Sequence, residues 1–180
     1  MFPREINVVG NAHSLFEKNY GEQIDSLPTI RFNYLENLVK EKQGSRWDYM
    51  ATSDPKMINK WNQAKSIPFH TLIFTIWAEK EKRHIAGNKY KNADVYRIPD
   101  PIWRKLSETT TRPSTGLSVI YMLDSLGIEQ VNIYGFDFKK THSYYNSQAI
   151  DTNQSSMHDY DMEERLVIDI INKNNWNIFR

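Results

Sequence analysis

Four short segments combine residue types that could hold an anion or move a proton, each where an apolar run meets a polar turn. In Val8-Val9-Gly10-Asn11-Ala12-His13-Ser14-Leu15, Gly10 would allow backbone to approach a ligand closely. The segment lacks both the full glycine pattern of a dinucleotide site and a P-loop lysine, so alone it reads first as a structural turn. In Arg112-Pro113-Ser114-Thr115-Gly116-Leu117, Ser114 or Thr115 can cap a helix that stops near Gly127. The N–H groups at such a start attract phosphate or carboxylate, and a capped helix that binds nothing fits equally well. Val131-Asn132-Ile133-Tyr134-Gly135-Phe136-Asp137-Phe138 leads into Thr141-His142-Ser143-Tyr144-Tyr145-Asn146, where a histidine beside two tyrosines could hold a phosphate and stack on a base or sugar. Finally, His158 precedes Asp159-Tyr160-Asp161-Met162-Glu163 at a helix start. The helix dipole there disfavours an imidazolium, and a neutral imidazole is what a general base requires. Asp159 and Asp161 match a D-x-D metal pair but also suit the first turn of a helix, and the structural reading is preferred.

Elements must position these residues. Strand patterns fall at 6–9, 29–32, 46–51, 70–77, 95–98, 130–134 and 176–179. Helix patterns fall at 33–42, 55–65, 101–108, 115–126 and 159–172. In the last helix Met162, Leu166, Val167, Ile170 and Ile171 share a face. Strands separated by helices predict an α/β fold, a mostly parallel sheet with helices on both faces and a site at the strands' carboxyl ends.

The chain has 180 residues, about one domain on the usual scale of roughly 150 residues each. It carries 23 Lys and Arg against 22 Asp and Glu, and lacks the basic excess of a dedicated nucleic-acid binder. With no cysteine, disulfides, thiolate metal sites and thiol nucleophiles are excluded, and a reducing compartment fits. No apolar run is long enough to span a bilayer or serve as a signal peptide. Trp47, Trp61, Trp77 and Trp103 could stack on sugars, although burial is the expected role of most of them.

Taken in order, the four segments resemble the sialyltransferases of glycosyltransferase family 29. The large sialylmotif is matched by VVGNAHSLFEKNYGEQIDSLPTIRFNY at 8–34, and the small one by RPSTGLSVIYMLDSLGIEQVNIYGF at 112–136. The third motif corresponds to HSYYN from His142, and the very small motif to His158 with Glu163. The resemblance implies a single-domain, Rossmann-like, GT-A-like variant over 1–180. It places Gly10, Asn11, Asn33, Ser114, Thr115, Gly116 and Tyr144 at the donor, His142 against the donor phosphate and His158 as catalytic base. Glu163 becomes a supporting residue, since five helical positions would not set it beside His158. Ala12 and His13 stand where the family commonly has Ser-Gly. The disulfide of the animal enzymes, whose positions correspond to Ile6 and Gly127, is missing.

The activity implied is metal-independent, inverting transfer of sialic acid from CMP-sialic acid to a glycan acceptor, with a galactose-type hydroxyl expected. No cofactor is implied, and no nucleic acid or integral membrane segment is expected. A soluble cytoplasmic enzyme, trimmed in the manner of bacterial or viral forms, is the expectation. Transfer from CMP-Kdo and a non-catalytic nucleotide-binding relative are the alternatives.

Overall fold

Seven short runs of mainly β-branched and aromatic residues form one sheet in the computed structural model, which describes residues 2–33, 38–54, 57, 60–61, 66–75, 93–110, 112–141, 143 and 158–180. They are β1 (Glu5–Val9), β2 (Thr29–Phe32), β3 (Tyr49–Thr52), β4 (Thr71–Phe74), β5 (Asp94–Arg97), β6 (Gln130–Tyr134) and β7 (Asn177–Phe179). Their order is β5-β4-β3-β2-β1-β6-β7, and every neighbouring pair is parallel. Each lies on a strand pattern of the sequence. β3 starts at Tyr49 rather than 46, because the Arg46 amide donates to the Asp25 carboxylate at 2.7 Å, outside the ladder. β4 ends at Phe74, and residues 76–77 of its expected span lie outside the described residues.

Among the described residues the helices with both ends defined are α1 (Gly21–Asp25), α2 (Lys40–Gln43), α3 (Asp100–Thr109), α4 (Thr115–Ser125) and α5 (Tyr160–Asn174), with a 3-10 turn at His13–Phe16. α4 stops as expected: Gly127 takes a left-handed φ of 67°, and the Ile128 amide reaches back to the Leu123 carbonyl at 3.1 Å. The helix expected over 33–42 is corrected. Asn33 is left-handed (φ 52°), and its side-chain oxygen accepts from Thr52 Oγ1 at 2.9 Å, so it terminates β2 instead of opening a helix. Of that span, the described residues show helix only from Lys40. In the 55–65 span Met57, Lys60 and Trp61 are helical, and the others lie outside the described residues.

Side chains alternate across the sheet. Ile6 and Val8 enter the main core with Ile30, Ile133, Leu117 and Ile120 of α4, Leu106 of α3 and Val167 of α5. On the other face, Val9 joins Leu15, Tyr20, Ile24 and Tyr134. Farther along, Met50, Phe69, Leu72 and Phe74 pack with Trp47 and Trp61, whose rings meet edge-to-face at 5.2 Å. Those two tryptophans are thus partly buried against this cluster.

From β1 the chain builds outward to β5, then returns to place β6 on β1's other side. The connections diverge at the carboxyl ends of β1 and β6, opening a crevice there. A polar ladder fixes the register beneath it. Buried Asn7 donates to the Ile24 carbonyl at 2.8 Å and accepts from Asn132 Nδ2 at 3.1 Å, while Asn132 accepts from Asn177 Nδ2 at 2.9 Å. Removing Asn7 leaves buried groups unpaired. Asn7→Ala should lower unfolding free energy by about 1–3 kcal/mol in urea titrations, and Asn177→Ala, at the exposed end, by about 0.5 kcal/mol or less.

Candidate active site

The walls of the crevice begin where β1 and β6 end. The Gly10 amide donates to the Tyr134 carbonyl at 2.8 Å, and the Ala12 amide to the Gly135 carbonyl at 3.2 Å. Gly135, at φ 64°, turns the chain so that Phe136 inserts between two segments far apart in sequence. A Cβ on Gly10 would come within 2.8 Å of the Phe136 ring, and one on Gly116 within 2.6 Å. At Gly10 the Gly135 carbonyl would be nearer still, at 2.3 Å, so its bare backbone admits both that carbonyl and Phe136, and it also lines the crevice. Asn11 donates from Nδ2 to the Phe32 carbonyl at 3.1 Å, tying the β1 turn to the end of β2 near Asn33.

Opposite stand the starts of α4 and α5. Ser114 caps α4, its Oγ accepting from the Leu117 amide at 3.1 Å. Asp159 caps α5 by accepting from the Met162 amide at 3.0 Å, as the structural reading of Asp159 and Asp161 expects. Glu163, 2% exposed, reaches across so that its Oε1 accepts from the Ser114 amide at 2.7 Å. His158 Nδ1 lies 2.7 Å from the Arg112 carbonyl and 3.8 Å from Glu163 Oε1. The expectation that Glu163 lies away from His158 is therefore corrected. His158 precedes the Asp159 cap and is not helical, so the five-residue offset does not measure helical rotation.

These contacts set protonation. A carbonyl only accepts, so His158 Nδ1 carries the hydrogen and Nε2 is the basic nitrogen of the neutral ring. Burial holds the His158 pKa below the ordinary 6.5; the Arg112 carbonyl opposes this, while the Arg112 and Lys139 charges reinforce it. The direction is the expected one, but its main cause is burial. Burial also raises Glu163 above 4.5, opposed by the Ser114 hydrogen bonds and supported by the Asp159 charge.

The third wall is the turn after β6. Asp137 Oδ1 accepts from the Lys139 amide at 3.1 Å, and Oδ2 accepts from the Thr141 amide at 2.8 Å and from its hydroxyl. Phe138 and Lys139 are both left-handed, at φ 53° and 63°. Such non-glycine geometry costs on the order of 1 kcal/mol or more per residue and persists where surroundings enforce it.

Gly10, Asn11, Asn33, Ser114, Thr115, Gly116, His158 and Glu163 thus line one crevice, together with Ser53, Phe136, Lys139, Thr141, Ser143 and Tyr160, which the sequence reading did not single out. His142 and Tyr144 lie outside the described residues; Thr141 and Ser143, which flank His142, line the crevice. His13 stacks on Phe16 at 5.5 Å, and its amide donates to Thr141 Oγ1 at 3.1 Å. Among the described residues no three His, Asp or Glu groups converge as a metal site, and no helix is long and apolar enough to cross a membrane.

The sequence profile of glycosyltransferase family 29 (sialyltransferase) matches residues 31–175. The chain belongs to this family. It is an enzyme of the sialyltransferase class, and its parallel α/β fold is that of solved sialyltransferases. A mammalian sialyltransferase superposes with a TM-score of 0.68 at 23% identity, over 98% of this chain and 68% of that one. The monofunctional α-2,3-sialyltransferase Cst-I of Campylobacter jejuni gives 0.65 at 15% identity, over 98% and 74%. The sialyltransferase CST-II, in complex with a trisaccharide acceptor and CMP, gives 0.57 at 13% identity, over 97% and 79%. No curated protein sequence matches the chain.

The Glu163 contact gives a stability test for this family 29 enzyme. Glu163→Gln keeps an acceptor for Ser114, whereas Glu163→Ala strands that amide and opens a cavity. Urea unfolding at neutral pH should show a loss of about 2–4 kcal/mol for alanine and under about 1 kcal/mol for glutamine.

Proposed function

We propose that the crevice transfers sialic acid from CMP-sialic acid to a galactose-type hydroxyl with inversion, using His158 as general base and no metal. The observation that carries this reading is the 2.7 Å contact between His158 Nδ1 and the Arg112 carbonyl, which supports Nε2 as the proton acceptor of a lowered-pKa ring lining the crevice. The acceptor oxygen attacks the anomeric carbon and its proton passes to Nε2. As that bond forms, the bond from the anomeric carbon to the phosphate oxygen breaks, and its electron pair leaves with CMP. The sugar carbon passes through an oxocarbenium-like state, as in glycoside hydrolysis.

The departing phosphate gains charge. The Thr115 and Gly116 amides support it, because first-turn amides of α4 have no intrahelical carbonyl to reach. Asn11 and Asn33 border the nucleotide end, and the family resemblance adds His142 at the phosphate and Tyr144 at the donor. The complexes of CST-II with CMP and with the analogue CMP-3FNeuAc support a CMP-linked donor by analogy of fold.

The test is CMP release and product mass from CMP-sialic acid with a galactose-terminated acceptor. His158→Ala should lower kcat by about 10²–10⁴ while CMP affinity stays near that of the wild type. Near-normal turnover in that variant would refute the base assignment. The active form is the neutral imidazole, so kcat/KM should fall as pH drops through the lowered His158 pKa. The midpoint of that limb should lie below 6.5, with a plateau above it. Activity should survive EDTA, and its loss with recovery on adding a divalent ion would contradict the metal-free reading.

A further inference from the structure

We infer that Lys139 is the fixed cation of the donor site and contacts the phosphate of the nucleotide; this rests on the CMP-donor reading above. Among the described residues that line the crevice, Lys139 is the one lysine or arginine. Two neighbouring cations are committed elsewhere. Lys140 and Arg180 both pair with Glu164, at 2.7 and 2.8 Å, and the Arg180 guanidinium lies over the Phe138 ring. The Lys139 ammonium instead donates to a neutral hydroxyl, Ser143 Oγ, at 3.0 Å, and Ser143 itself lines the crevice.

The backbone is built to keep it there. Asp137 gathers the turn through the Lys139 and Thr141 amides, and Phe138 and Lys139 adopt consecutive left-handed conformations. The far end of the turn is tied to the β1 turn by the His13 amide on Thr141 Oγ1 and by the antiparallel bridge between Ala12 and Ser143.

The site's electrostatics call for such a charge. The α4 start offers about half a positive charge, and Glu163 already accepts from its Ser114 amide. A phosphate arriving at that helix therefore meets a carboxylate as well as amides. A full positive charge on the facing turn offsets Glu163 and gains strength as the leaving phosphate becomes more negative. In the transfer the ammonium forms and breaks no covalent bond.

The experiment compares CMP and cytidine binding by calorimetry at low salt for the wild type, Lys139→Asn and Lys139→Arg. Asparagine tolerates the left-handed backbone, which separates loss of charge from loss of the turn. Lys139→Asn should weaken CMP by about three- to tenfold and leave cytidine unchanged, and Lys139→Arg should stay within about twofold for both. The CMP affinity of the wild type should also fall more steeply with salt than that of Lys139→Asn. Equal losses for both ligands, or no loss for CMP, would overturn the inference. A loss seen with an unreactive CMP-sialic acid analogue and absent with CMP would move the lysine to the sugar carboxylate and overturn the phosphate assignment. Failure of the wild type to bind CMP at all would instead overturn the donor reading, and this inference with it.

Discussion

The start of α5 is docked on the start of α4 by two hydrogen bonds, Glu163 to the Ser114 amide and His158 Nδ1 to the Arg112 carbonyl, and the site's chemistry depends on that contact. Its geometry does three things at once. It fixes the tautomer of the one described histidine in the crevice wall, satisfies a buried carboxylate, and holds the Thr115 and Gly116 amides at the crevice. Because Glu163 is buried, its bond to Ser114 is unshielded by water and specifies one relative placement of the two helices. His158 gains its orientation from that placement, since Arg112 immediately precedes the α4 cap region.

The sheet supplies the other half of the arrangement. β1 and β6 adjoin where the chain reverses its direction of growth, and the Asn7–Asn132–Asn177 ladder holds their register. Phe136 then fills the space left by two glycines, Gly10 just after β1 and Gly116 in α4, and meets Phe32 edge-to-face at 5.6 Å. The apolar ring is thus the spacer that sets how far the turn after β1 stands from the start of α4. A side chain at either glycine would collide with it, and the collision would be felt in the crevice.

Much of this was legible in the sequence because parallel strands buried on both faces read as compact apolar runs, as in Ile6 to Val9 and Val131 to Tyr134. The ends of α4 were legible through Ser114 and Gly127, whose capping chemistry is local. What escaped depends on partners distant in sequence. Asn33 sits in what looks like a helical stretch, yet its bond to Thr52 stops β2 there. Helix α1 and the turn at His13–Phe16 are too short to show a period. Glu163 reads as remote from His158 only if both are assumed helical. Lys139 carries no motif, and its distinction from Lys140 emerges only when Glu164 is seen to pair with the latter.

The central claim, a neutral His158 with its hydrogen on Nδ1 and a basic Nε2, is open to direct observation. Nitrogen-15 NMR of the histidine rings, with His158 assigned by substitution, reads the protonation of each nitrogen separately. At neutral pH the account predicts a protonated Nδ1 and an unprotonated Nε2 for His158. A hydrogen on Nε2 instead, or a doubly protonated ring at that pH, would contradict it.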